Sequence, residues 1–124
     1  MKNKHFRLAF RIWLTLIIIL SVIPNLSEQK IELFGSPFRL DYLEHFGVFF
    51  ILGTLFILSG RTINFKSIGF LLSFAFLMET VQLIIPGRAF NPWDFIYNIF
   101  GLIVAIILSK RLINNKLARK IGRL

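Results

Sequence analysis

The chain has 124 residues, 56% of them hydrophobic and 17% charged, with a formal net charge of +9. That apolar load, with 15 phenylalanines, exceeds what one small domain can bury, so soluble α/β and barrel enzymes are excluded and an integral membrane protein is implied. The absence of cysteine removes disulfides, thiolate nucleophiles and Cys-based metal sites.

Four apolar segments follow one another, each close to the ~20 residues that cross a bilayer core as a helix, and none alternates with the period of a strand. The first runs from about Leu8 to Ile23, before Pro24. Its basic start (Lys2, Lys4, Arg7, Arg11) has the look of a signal peptide, but Ser21-Val22-Ile23-Pro24 is no Ala-x-Ala-like cleavage site, so a retained helix is expected. The second segment runs from Tyr42 to Ser59, the third from Ser67 to Ile85 before Pro86-Gly87, and the fourth from Pro92 to Ser109 before Lys110-Arg111. Residues 110–124 form a basic tail, read either as a short helix on the inner membrane surface or as a solvated stop-transfer segment. The whole chain is expected to be a single domain, 1–124, without internal repeats.

Basic residues orient the spans. Lys2, Lys4, Arg7 and Arg11, then Arg61 and Lys66, then six more from Lys110 onward all fall on one side, whereas only Lys30, Arg39 and Arg88 fall on the other. The positive-inside rule puts both termini and the 61–66 loop in the cytoplasm and the 24–41 and 86–91 segments outside. Because these cations flank apolar spans, nucleic acid is not an expected partner.

The six acids all fall toward the outer side: Glu28, Glu32, Asp41, Glu44, Glu79 and Asp94. Helical spacing aligns Asp41 with Glu44 and His45, Glu79 with Gln82, and Asp94 with Asn98, so three helices each present one polar face. If those faces meet, they make one polar cavity open to the outer leaflet. Duller readings exist for most of them. Asp41-x-x-Glu44 has the form of a capping box, Asn91-Pro92 of a helix start, and Arg88 and His45 of interfacial residues. Gln82 and Asn98 are common glue between membrane helices, and Trp13, Trp93 and Tyr42 suit an aromatic belt. Glu79 has no cap to make, and a charged acid near midspan costs about 2.5–3.5 kcal/mol on insertion scales, so it marks a site. Gly101-x-x-x-Ala105 is a small-xxx-small pair suited to close helix packing.

Two stretches carry a resemblance. One is Asp41-Tyr42-Leu43-Glu44-His45-Phe46 with Leu52-Gly53. The other is Glu79-x-x-Gln82-x-x-x-Pro86-Gly87-Arg88-x-Phe90-Asn91-x-x-Asp94-x-x-x-Asn98-x-x-Gly101. Together they resemble the VanZ-like family of bacterial membrane proteins, named for a teicoplanin-resistance protein. Tyr42 stands where the family usually has lysine, and Asn91 where it commonly has aspartate. The resemblance implies an all-α, four-helix membrane bundle and shared motif positions at Asp41, His45, Glu79, Gln82, Arg88, Asp94 and Asn98. It also implies glycopeptide resistance, especially of the teicoplanin type, or a related role at the envelope.

Glu79, His45 and Asp94 are accordingly expected to carry any acid–base chemistry, with Asp41, Gln82, Arg88 and Asn98 binding. Arg88 beside the start of the fourth helix suits an anionic headgroup. The expected partners are membrane lipids, lipid-linked envelope intermediates or a lipoglycopeptide antibiotic. Asp41, His45, Glu79 and Asp94 are also donor types for zinc or manganese, but no HExxH-like spacing is present and no metal or cofactor is expected. The alternatives are a non-enzymatic accessory or binding protein, or a small ion- or proton-coupled transporter. Against transport, Ile17–Leu20, Ile57–Leu58, Phe70–Leu72 and Ile103–Leu108 are expected to form an apolar inner half.

Overall fold

A computed structural model describes residues 2–23, 30–33, 36–86 and 92–122, with the backbone alone at 2–3, 30–33, 36–41 and 117–118. Four helices make an all-α membrane bundle: α1 (Lys2–Val22), α2 (Leu40–Leu58), α3 (Phe65–Val81) and α4 (Pro92–Gly122). Three of them are long and apolar enough to cross a membrane, and α2 contributes a shorter apolar helix, Tyr42–Leu58. Their outward faces carry exposed Ile18, Phe70, Phe76, Ile103 and Ile107, a surface that suits hydrocarbon rather than water.

The structure adds features that the pattern of apolar segments does not carry. Lys30–Leu33 (β1) pairs antiparallel with Ser36–Arg39 (β2), Lys30 opposite Arg39, immediately before α2. Helix α3 starts two residues before the expected Ser67, because Asn64 caps it: its side chain accepts from the Ser67 backbone N–H, and the Ser67 hydroxyl accepts from the Asn64 N–H. After Val81 the α3 backbone tightens into one 3-10 turn, Gln82–Ile84. Helix α4 continues unbroken through the basic tail to Gly122, about 46 Å in length. The residues from Lys110 to Gly122 thus extend a span rather than form a separate helix.

The interior is filled by Phe10 and Ile17 from α1, Phe49, Leu52 and Phe56 from α2, Leu71, Phe74 and Met78 from α3, and Leu102 from α4. Trp13 lies midway along α1, where its ring N–H donates to the Val48 carbonyl at 3.0 Å. It therefore ties α1 to α2 instead of sitting in the expected belt, whereas Trp93 is exposed at the start of α4.

The closest packing is between α2 and α4. A Cβ at Gly101 would run into the Phe46 carbonyl oxygen and stand 3.0 Å from the Phe50 nitrogen. A Cβ at Gly53 would stand 2.9 Å from the Ala105 Cβ. The Gly101-x-x-x-Ala105 pair is therefore the seam along which α4 approaches α2, as its spacing suggested.

At the end of the bundle that holds the α1 N-terminus, Gly60 takes a positive φ of 84° and closes α2. Arg7 Nε donates to the Ser59 carbonyl at 3.2 Å, satisfying one of the last carbonyls of α2. The Arg61 guanidinium lies 4.7 Å from the Phe10 ring centroid and 5.6 Å from that of Phe56. Arg7, Arg61 and the C-terminal part of α4 thus share one end, and the starts of α2 and α4 share the other.

The seam makes a sharp expectation. Gly101→Val should lower stability by about 1–3 kcal/mol or more, because the clash is with backbone and no rotamer relieves it. Gly47→Ala, where a Cβ meets nothing within 4 Å, should be neutral or stabilising. Thermal unfolding of the purified variants in detergent separates the two.

Candidate functional site

The starts of α2 and α4 and the end of α3 converge on one buried polar cluster. Helix α2 delivers His45 one turn past its start, α3 delivers Glu79 just before its last α-turn ends, and α4 delivers Asp94 in its first turn and Asn98 one turn on. Glu79, Asp94 and Asn98 are 1%, 4% and 0% exposed, so their polar atoms are shielded from solvent, whereas His45 is partly open.

The cluster has an internal logic. Asn98 Nδ2 donates to Glu79 Oε1 at 3.2 Å, and Asn98 Oδ1 lies 2.8 Å from His45 Nδ1. An ionised carboxylate only accepts, so the amide must turn its N–H toward Glu79 and its oxygen toward His45. That oxygen in turn requires a proton on His45 Nδ1, which therefore donates. Glu79 Oε1 also lies 3.3 Å from Nδ1. The opposite ring nitrogen, Nε2, faces Asp94 Oδ2 at 3.6 Å. In the neutral imidazole Nε2 bears a lone pair, and a lone pair facing a carboxylate oxygen needs a positive species between or on them. A proton or a cation meets that need.

The cluster opens onto a cleft of about 250 Å³ whose wall includes Ile17, Leu20, Ser21, Glu44, Val48, Phe49, Met78 and Gln82. Helix α1 therefore forms one side of it. Ile17 and Leu20, expected in an apolar inner half, line this cleft instead. Helix α1 runs from the end that holds Arg7 toward the polar end, so its last turns lie beside His45 and Glu79. The sole hint in the sequence was Ser21, a polar residue at the end of an apolar run; its hydroxyl donates to the Ile17 carbonyl at 2.7 Å.

Of the seven expected positions, the structure brings His45, Glu79, Asp94 and Asn98 together and sets Gln82, buried, in the cleft wall. Asp41 lies in the first turn of α2, which begins at Leu40, so the helix starts ahead of it rather than at it. The Asp41 side chain and the whole of Arg88 lie outside the described residues, as does Asn91. Tyr42, expected in the aromatic belt, stacks on Tyr97 with centroids 4.9 Å apart and pins α2 to α4 beside the cluster.

A helical membrane bundle with a buried His–Asp–Glu–Asn cluster at one end is the class of protein that this fold and site define. The VanZ/LLP1 family model matches residues 3–114, and the chain belongs to that family. No curated protein and no solved structure matches the chain.

Replacing Asn98 should test whether the cluster holds together as a unit. Asn98→Leu removes a partner from both His45 Nδ1 and Glu79 Oε1 and should cost about 1–3 kcal/mol or more, since both groups lie in a low-dielectric interior. Thr54→Val, which loses only a hydroxyl bonded to its own helix at Phe50, should cost far less. Unfolding of the two variants in mixed detergent provides the comparison.

Proposed function

We propose that this VanZ-family protein acts on or protects the bacterial cell envelope from the outer face of the plasma membrane. It takes an acyl-bearing or lipid-linked molecule into the cleft between α1, α2 and α3 and moves a proton at His45, Glu79 and Asp94. The observation that supports this most is the meeting of two surfaces: apolar walls from Ile17, Leu20, Val48, Phe49 and Met78 end directly on His45 and Glu79. Such a cleft suits a molecule with a hydrocarbon part and a polar part. His45 Nε2 is the proton-carrying atom, Asp94 stabilises the imidazolium, and Glu79 acts through Asn98 and Nδ1 to hold the ring. Arg88 is assigned to an anionic headgroup, on its sequence position before α4. A lipoglycopeptide such as teicoplanin, or the cell-wall lipid intermediates it intercepts, has this chemistry.

The reading requires the polar end to face outward and both termini to face the cytoplasm. Support comes from the basic residues, since Arg7, Arg61 and Lys116 share the opposite end. The chain has no cysteine, so single substitutions report cleanly. In intact cells Lys30→Cys should react with a membrane-impermeant maleimide, and Lys116→Cys should react only after permeabilisation. The reverse pattern would turn the cluster toward the cytoplasm and end the envelope reading.

A through-channel fits less well. Phe49, Leu52, Phe56, Leu71, Phe74 and Leu102 fill the interior between the cluster and the basic end.

Function is tested by teicoplanin and vancomycin susceptibility of a Gram-positive host carrying wild type, Glu79→Gln or empty vector at matched membrane abundance. Protection by wild type against teicoplanin, lost in Glu79→Gln, is expected. Protection unchanged in Glu79→Gln would remove Glu79 from the residues that the activity needs. No protection by wild type would leave the cleft to other envelope lipids.

A further inference from the structure

We propose that His45, Glu79 and Asp94 bind a divalent transition-metal ion of the zinc type, with Asn98 as the residue that aims His45 at it. The ion takes the place that the proton on His45 Nε2 holds in the cleft reading above, and the proposal rests on that reading only for what the ion would act upon.

Three observations converge. One imidazole nitrogen and one carboxylate oxygen from each acid lie within 4.8 Å of one another, and the two acids are buried. Such a mixed nitrogen–oxygen set suits zinc, manganese or ferrous iron better than magnesium or calcium, which prefer all-oxygen sites. An ion with bonds of about 2.0–2.2 Å holds neighbouring donors about 3–3.6 Å apart. His45 Nε2 and Asp94 Oδ2 are 3.6 Å apart, too far for a good N–H···O bond and right for two donors sharing an ion.

The second observation concerns the tautomer. Asn98 is oriented by donating to Glu79, and its oxygen fixes the proton on His45 Nδ1. In the neutral ring the lone pair is then on Nε2, the atom facing Asp94. A histidine that ligates a metal through one ring nitrogen almost always donates the other to a carbonyl or carboxylate, and here the side-chain carbonyl of Asn98 does that.

The third is access. Three protein ligands leave a coordination position open, and His45 and Glu79 border the cleft. An open position is the mark of a zinc site that meets a substrate rather than one that only holds the fold. There the ion would polarise a phosphoryl or carbonyl oxygen of the molecule in the cleft.

The test uses the full chain, purified without a polyhistidine tag, stripped with chelator and returned to Zn²⁺ alone in nanodiscs. Elemental analysis after dialysis should give about one zinc per chain, as expected for a single three-ligand site. Glu79→Gln and Asp94→Asn should each weaken zinc affinity at least tenfold, and Asn98→Leu about 10–100-fold. His5→Gln, remote at the basic end, should bind as wild type. Because a cluster variant can misfold, nitrogen NMR of histidine-labelled wild type provides an independent reading. Zn²⁺ should shift the His45 Nε2 signal while Nδ1 keeps its proton. Monodisperse, helical wild type that retains no zinc overturns the proposal, as does wild-type affinity in Asp94→Asn or a shift confined to His5. Loss of the teicoplanin phenotype alone would not move these readouts, and a zinc-free wild type would still permit the proton-bridged cluster, so the two readings fail separately.

Discussion

The approach of α4 to α2 is the constraint from which the rest follows. Gly101 lets the α4 backbone lie against the Phe46 carbonyl, and Gly53 does the same against Ala105. In a bilayer there is no hydrophobic gain from bringing two apolar helices together, so close van der Waals contact over small residues has to supply the attraction. Phe46 follows His45 in α2, and Gly101 lies three residues beyond Asn98 in α4. The contact that permits the two backbones to touch therefore also sets His45 Nδ1 2.8 Å from Asn98 Oδ1. Tyr42 on Tyr97 repeats the same registration one turn closer to the helix starts. A packing seam and a polar site thus share one stretch of two helices, and a change in either disturbs both.

Helix α3 is bound to this pair more loosely, and what it brings is Glu79. The cost of an acid in hydrocarbon is what makes its surroundings specific. A carboxylate that found only Leu and Phe around it would expel its helix or take up a proton. Asn98 gives it a donor, and His45 brings a group able to carry positive charge. Because Asn98 serves His45 as well, the orientation of one amide decides the tautomer of one ring. The chemistry of the site is consequently set from α4, although its most costly residue belongs to α3.

The sequence revealed the parts whose physics is local. Apolar length gave the four helices, three of them long enough to cross a membrane, and the seam was visible in the spacing of Gly101 and Ala105. Glu79 stood out because nothing in a helix interior explains an acid. Pairwise spacing put Asp94 and Asn98 on one face, but it was silent on which atom of Asn98 meets which neighbour. The hairpin at 30–39 was missed because Ser36-Pro37-Phe38-Arg39 shows no clean alternation and contains proline. Trp13 was misplaced because a tryptophan near basic residues is the ordinary sign of an interface, and only the partner helix reveals that its N–H has the Val48 carbonyl to reach. The role of α1 in the cleft was hidden for a similar reason: Ile17 and Leu20 look the same whether they face lipid, core or a ligand.

The two ends of the bundle divide the work between them. At the basic end Arg7 caps α2, Arg61 lies over Phe10 and Phe56, Gly60 closes one helix and Asn64 opens the next. Each of these fixes a backbone terminus, and together they hold the helices like a base. At the other end α3 tightens into a single 3-10 turn, α1 leaves a cleft against α2 and α3, and the polar side chains gather. The cleft and the cluster draw on different helix contacts. His45, Asp94 and Asn98 belong to the α2–α4 pair, while the cleft lies where α1 and α3 meet α2. Three of the four clustered residues therefore stand on the closely packed α2–α4 pair, and Glu79 reaches them from α3.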